Sequence, residues 1–114
     1  MKRFSEAIQS KILLFDGSMG ALLSRMGHAT PCPDELAVTR PDVIRSVHQG
    51  YLDAGADVLL SDTFGATEMT LAHKKRAGMG ETITAAAVRL AREAAGSRAL
   101  VAVDMGPTSA FLYP

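Results

Sequence analysis

Three aspartates in this chain stand at the ends of short apolar runs, each with a glycine close behind. Asp16 follows Ile12-Leu13-Leu14-Phe15 and precedes Gly17; Asp62 follows Val58-Leu59-Leu60-Ser61 and leads to Gly65; Asp104 follows Leu100-Val101-Ala102-Val103 and leads to Gly106. Carboxylates brought to one edge invite a magnesium or phosphoryl-transfer reading, because hard cations take oxygen ligands. Mg²⁺ generally shares its site with substrate phosphates, however, and the chain has neither a P-loop nor a dinucleotide glycine fingerprint. Asp16 and Asp104 can equally act as strand-end caps that accept from loop amides. The one thiol, Cys32, sits between Pro31 and Pro33 without a second cysteine and reads as a bystander rather than a nucleophile or ligand. His28, His48 and His73 lack the close partner that a histidine metal site needs. His48 reads as a hydrogen-bonded histidine at the edge of the core, and the other two as surface residues. Met19, Met26, Met69 and Met79 read as packing residues. Residue types and spacing thus mark a site at strand ends and leave its chemistry open.

The elements that must position these residues follow from the same pattern. Short, continuous apolar runs bounded by glycine fit strands buried on both faces, the habit of parallel sheets. Strands are expected at 12–15, 57–61 and 99–103, adjacent and parallel. Polar residues at the carboxyl ends of such strands lie where parallel α/β folds keep their ligands. Residues 5–11 suit a short lead-in helix, and a turn over 16–20 opens another at 21–26, stopped by Gly27. The stretch 27–40, with two prolines and little periodicity, reads as a loop. Pro41 suits the first position of the clearest helix, with Asp42 at its positive end. Ile44, Val47, His48, Tyr51 and Leu52 then form one stripe, and Gly55 is placed to stop it in the left-handed conformation. A further helix spans about 68–76, broken by Gly78 and Gly80. The last carries Ile83, Ala87, Leu90 and Ala94 at helical spacing and stops at Gly96.

With 114 residues, 47% apolar and 21% charged, the chain has the composition of one globular domain. Twelve basic residues balance twelve acidic ones, so nothing favours nucleic acid or an anionic membrane surface. No apolar run approaches the roughly 20 residues that span a bilayer. The N-terminus, Met1 to Glu6, has two basic residues but no apolar stretch behind them, unlike a signal peptide. A cytoplasmic α/β protein is expected.

Taken in order, several stretches resemble the homocysteine S-methyltransferase family. They are Ile12 to Gly20, Cys32-Pro33-Asp34-Glu35-Leu36, Thr39 to Ile44, His48, Tyr51 to Asp57, Asp62-Thr63-Phe64-Gly65-Ala66 and Gly106-Pro107-Thr108. The Cys-Pro-Asp-Glu-Leu and Gly-Pro-Thr words are most similar to the cobalamin-dependent methionine synthase branch, in its N-terminal homocysteine-binding barrel. The resemblance implies a TIM (β/α)₈ barrel with its site at the carboxyl ends of the strands. This chain would supply the N-terminal portion, about three βα units, so that residues 1–114 make a partial homocysteine-binding domain. The implied reaction is transfer of a methyl group to the sulfur of homocysteine, giving methionine. A thiol of pKa about 8.5 is mostly protonated at neutral pH, and a zinc ion would hold it as thiolate.

By the same resemblance, Asp16, Gly17 and Ser18 on one turn and Asp62, Thr63 and Phe64 on another would bind the substrate. The family's zinc ligands are three cysteines on later strands. None is present here, so no catalytic or metal-binding residue is assigned to this chain. Cobalamin and methyl-folate would act only through modules outside it. Ser61-Asp62 stands where the family has Thr-Asn, and Ala21 where it has threonine. Three parallel strands leave two open edges and an uncovered face. The isolated chain is therefore expected to be inactive, as a truncated methyltransferase or as a non-catalytic remnant or split-barrel subunit that needs a partner chain. A magnesium-dependent α/β enzyme is the less favoured alternative.

Overall fold

The computed structural model describes residues 3–108 and 110–112. The reading of Met1 and Lys2 at the N-terminus falls outside them. Among the described residues, six helices and two strands follow the order α1 (Phe4–Ser10), α2 (Met19–Arg25), α3 (Leu36–Thr39), α4 (Pro41–Asp53), β1 (Val58–Leu60), α5 (Glu68–His73), α6 (Gly80–Ala95) and β2 (Leu100–Ala102), with a 3₁₀ turn at Pro33–Glu35. β1 and β2 pair in parallel, Val58 opposite Leu100 and Leu60 opposite Ala102.

The first expected strand shrinks to a single parallel bridge between Phe15 and Val58 on the other side of β1. The rung is regular: Val58 donates to the carbonyl of Leu14 at 3.1 Å and Asp16 to the carbonyl of Val58 at 3.0 Å. The next N–H along β1, on Leu60, donates instead to the Asp16 side chain at 3.0 Å. A side-chain acceptor has taken the place of the next backbone carbonyl, and the ladder ends there. At the opposite end of this segment the Asp57 carboxylate accepts from Leu14 N–H at 3.1 Å and pairs with Lys11. The two paired strands are also shorter than expected, each by one residue at either end.

Burial on both faces does not hold throughout. Val58 and Leu59 are buried, but β2 is only half-buried and Ile12, Leu14, Phe15 and Val103 are exposed. α4 and α6 pack against β1, and α6 also against β2, while Ile12, Leu14 and Val103 lack cover among the described residues. Phe15 gains one neighbour from α1, an edge-on contact with Phe4 at 6.3 Å between ring centres.

The helical layer carries the core. α4 and α6 are the most extensively packed pair, and Ile44, Val47, Ala87 and Leu90 at their interface join Leu23 of α2 and Ala37 of α3. On α6 the buried stripe is broader than expected, with Ala91 and Ala95 inside as well and Ala94 only partly so. Leu52 and Ala95 meet Leu59 beneath, which fixes the helices on the sheet. Met26 and Met69, expected to pack, are about half exposed.

Local signals set the element ends. α4 closes in a Schellman turn: Gly55, at φ 98°, donates to Leu52 and Ala56 donates to Tyr51, each at 3.0 Å. α2 starts earlier than expected because Ser18 caps it, its hydroxyl accepting from Ala21 N–H at 3.2 Å. Gly80 does not break a helix but begins one. The Glu68 carboxylate accepts from the N–H groups of Gly78 and Gly80 at 2.9 and 2.8 Å, satisfying the open end of α6. α5 ends at His73, short of the expected Arg76. Lys75 takes a left-handed φ of 59° and Arg76 N–H turns back to the carbonyl of Leu71 at 2.7 Å. The stretch 27–40 is not a plain loop, since the 3₁₀ turn and α3 lie within it.

Candidate functional site

The carboxyl ends of the three parallel segments converge on a cleft of about 520 Å³. Asp16, Gly17 and Ser18 line it from the first segment, Asp62 and Phe64 from the turn after β1, and Asp104 from the turn after β2. Five of the six residues expected to bind substrate therefore share one cavity. The sixth, Thr63, does not line it.

The Thr63 hydroxyl is engaged elsewhere. It donates to the Asp104 carbonyl at 2.6 Å and lies 2.7 Å from the Ser61 hydroxyl, which in turn accepts from Asp104 N–H at 3.1 Å. Since Thr63 has spent its proton on the carbonyl, Ser61 is the donor between the two hydroxyls. The resulting closed ring of hydrogen bonds ties the turn after β1 to the end of β2. Gly106 completes the join, because a Cβ there would collide with the Phe64 carbonyl.

Gly17 and Ser18 are built against helix α4. A Cβ on Gly17 would lie 2.9 Å from the Tyr51 hydroxyl, and that hydroxyl donates to the Ser18 carbonyl at 3.2 Å. A side chain at Gly17 would have to push the Tyr51 ring aside. The stripe of α4 thus shapes the floor of the turn that carries Asp16.

Two charged lining residues had no role assigned by sequence, Asp34 and Lys74. Asp34, at the 3₁₀ turn, is 3% exposed; its Oδ1 accepts from Gly65 N–H at 2.7 Å and its Oδ2 lies 3.4 Å from Lys74 Nζ. A side chain on Gly65 would displace the Asp34–Lys74 pair, since a Cβ would sit 2.5 Å from Asp34 Oδ2 and 2.7 Å from Lys74 Nζ. The resemblance of Cys32 to Leu36 to a family stretch was the available signal for Asp34. Lys74, beside Lys75 and Arg76, carried none. A second pair, Arg76 with Glu35 at 2.7 Å, fastens the same loop to the end of α5.

The electrostatics of the cleft are unusual in what they leave unmade. Asp62 is 6% exposed and its Oδ2 has no hydrogen-bond partner among the described residues; Asp16 Oδ1 is in the same condition. Burial pushes the Asp62 carboxyl up to about 7, the negative charges of Asp34 and Asp104 push the same way, and Lys74 opposes them. Asp16 is also raised, chiefly by burial, with the amide of Leu60 opposing and Asp104 adding to it. Buried polar atoms in native proteins are overwhelmingly paired, so two orphans on residues that line one cavity mark its wall as short of polar partners.

The metal-binding residue types do not gather. Cys32 is buried in an apolar cluster with Ala66, Leu71 and Ile83. His73 is exposed and His28, expected at the surface, is half-buried. His48 is not at the core edge and hydrogen-bonded as expected: it is fully buried on α4, with both ring nitrogens unpartnered. Among the described residues no three histidines, cysteines or carboxylates are grouped to hold a metal ion. No helix among them is long and apolar enough to cross a membrane.

A parallel α/β unit with its polar cavity at the strand ends belongs to the class of folds that hold small ligands at that edge, as barrels do. The comparisons make the class specific. Residues 13–114 match the family model described as homocysteine S-methyltransferase. The crystal structure of the homocysteine methyltransferase MmuM from Escherichia coli in its metallated form is similar with a TM-score of 0.75 and 29% identity, over 89% of this chain and 40% of that one. Its oxidized form gives a TM-score of 0.73 and 26% identity, over 88% and 39%. The chain belongs to the homocysteine S-methyltransferase family, and its fold corresponds to the N-terminal part of that barrel-like enzyme fold. It spans about two-fifths of the length of the solved relatives that it matches.

Proposed function

We propose that residues 1–114 are a partial homocysteine-binding domain that holds the amino-acid end of homocysteine in the strand-end cleft, within a protein that transfers a methyl group to the substrate sulfur to give methionine. The observation that carries this reading is the pair of incompletely partnered carboxyl groups, Asp16 and Asp62, lining one cavity in a chain of this family. A zwitterionic amino acid offers both an ammonium and a carboxylate to such a cavity. Gly17 and Ser18 add a turn held open by Tyr51, and Phe64, 59% exposed, adds an apolar wall for the substrate's methylene chain.

The zinc that the resemblance implies does not fit the residues of this chain. Cys32 faces apolar side chains, and the histidines are scattered. Thiol activation is therefore assigned to residues outside these 114, and cobalamin and methyl-folate to separate modules. A second reading, a subunit that needs a partner chain to complete the barrel, draws on the exposed apolar residues at the sheet: Ile12 at 87%, Leu14 at 59% and Met105 at 85%. Chemical-shift mapping with homocysteine tests the binding site. Shifts centred on Asp16 to Ser18 and Asp62 to Phe64 are expected, and a response elsewhere or none overturns the assignment. Methionine formation is expected only when a C-terminal barrel portion carrying three cysteines is supplied. Turnover by the chain alone would overturn the division of roles.

A further inference from the structure

Four acidic side chains line the cleft, and they are not equally provided for. Asp34 has both oxygens engaged, one by Gly65 N–H and one by Lys74. Asp16 has one oxygen on Leu60 N–H. Asp104 is partly solvated, and its backbone holds the turn through Ser61 and Thr63. Asp62 is the most poorly served: 6% exposed, one oxygen sealed from solvent and unpartnered, with Asp34 and Asp104 as charged neighbours and the nearby cation Lys74 already turned to Asp34.

An ionised carboxylate in that position would have no donor from the protein and one oxygen without water, beside two further negative charges. The neutral acid avoids those costs but then carries, on the oxygen that is not sealed, an O–H with no acceptor in the protein. An acceptor brought by the ligand would complete it. We propose that Asp62 serves the cleft as a neutral carboxylic acid, donating its O–H to the carboxylate of the amino-acid ligand, so that binding depends on a proton held by the protein. The proposal rests on the homocysteine reading above and adds a protonation state and a residue that discriminates for a ligand carboxylate.

The direction of the pH effect follows. Burial and the charges of Asp34 and Asp104, against the opposing Lys74, place the loss of this proton near pH 7. Below that the donor is present; above it an anion faces the ligand's own carboxylate. Homocysteine keeps its zwitterionic form from pH 6 to pH 8, so the change in affinity across that range belongs to the protein.

The test is calorimetric binding of homocysteine to the full chain and to D62N from pH 6 to pH 8, with infrared spectroscopy of the unliganded protein at pH 6. For the wild-type chain affinity should fall about tenfold across that range, as expected for one proton lost near its middle. D62N keeps a neutral donor of similar shape and should bind with no such slope. The decarboxylated analogue of homocysteine should show no fall with the wild type. The wild-type spectrum should contain a protonated-carboxyl band that D62N lacks. Homocysteine binding without that band, or with the same slope in D62N, overturns the proposal alone. The band without homocysteine binding at any pH overturns the homocysteine reading on which the proposal rests. If D62N does not fold, the wild-type slope, the analogue and the band decide.

Discussion

His48 in the helical layer and Asp62 in the strand-end cleft are both buried titratable groups with unpartnered polar atoms, and their surroundings give those atoms different meanings. His48 sits on the face of α4 that carries Ile44 and Val47, all within the packed layer. Burial lowers its pKa to about 4, so the ring stays neutral and its two nitrogens remain unsatisfied. Asp62 is nearly as buried, but it borders a cavity of about 520 Å³ that other polar groups share. In the packed layer an orphaned polar group only costs stability. At a cavity the same deficit is a capacity to bind, because an incoming ligand can supply the missing partner.

The largest effect that would break this comparison lies at Asp62. Its folded-state value of about 7 stands above the ordinary 3.8, so the folded chain holds a proton that the unfolded chain has already released between about pH 4 and pH 7. The stability this contributes is complete below pH 4 and is lost as pH rises through 7. By linkage the loss is up to about 4 kcal/mol. Urea unfolding at pH 4 and pH 8 should show the wild-type stability falling relative to D62N by up to that amount. A constant difference between the two proteins would mean that Asp62 is ionised throughout.

His48 gives a slightly smaller effect of opposite sign. Its folded value of about 4 lies below the ordinary 6.5, so on acidification the unfolded chain takes up a proton first. Stability should drop by up to about 3 kcal/mol between pH 6.5 and pH 4 and change no further through this group below that. H48L removes the titrating ring, and its stability should lack that acid slope. At pH 7 the variant should also gain about 1–3 kcal/mol from removal of the unsatisfied nitrogens, less any misfit of the new side chain. Retention of the acid slope in H48L would assign it to other groups.

How far such groups could be read from the sequence depends on how local their causes are. Pro41 opening α4 and Gly55 closing it act within one helical turn, so both ends of that helix were legible. The apolar runs ending at Asp16, Asp62 and Asp104 correctly marked one edge, because a parallel sheet brings its strand ends together. The length of the first strand was not legible, since it depends on the Asp16 side chain capturing an N–H that lies 44 residues away. Asp34 and Lys74 join the cleft across 40 residues, and no periodicity encodes such a meeting. Thr63 is adjacent in sequence to Asp62 yet turned to Asp104, a choice made by the hydroxyl ring rather than by the motif. His48 fell on the expected stripe, but whether its nitrogens find partners is decided by the packing of other elements over α4.

The smallest effect separates strain at the rim of the cleft from the chemistry inside it. Lys75 stands where α5 closes, with φ 59° and Arg76 N–H folded back to Leu71. That left-handed position usually belongs to glycine, because a Cβ there crowds the backbone by roughly 1 kcal/mol. Arg76 helps to hold the turn: its guanidinium donates to the Lys75 carbonyl at 3.2 Å and pairs with Glu35. K75G should therefore raise stability by about 0.5–1 kcal/mol in urea unfolding, the relief of strain being partly offset by the greater freedom of glycine in the unfolded chain. The Arg76 contacts remain, so Lys74 should stay on Asp34 and the pH slope of homocysteine binding should not change. A gain in stability accompanied by a flattened slope would show that the strained turn helps to aim Lys74, and the cleft's charge balance would then extend to the end of α5.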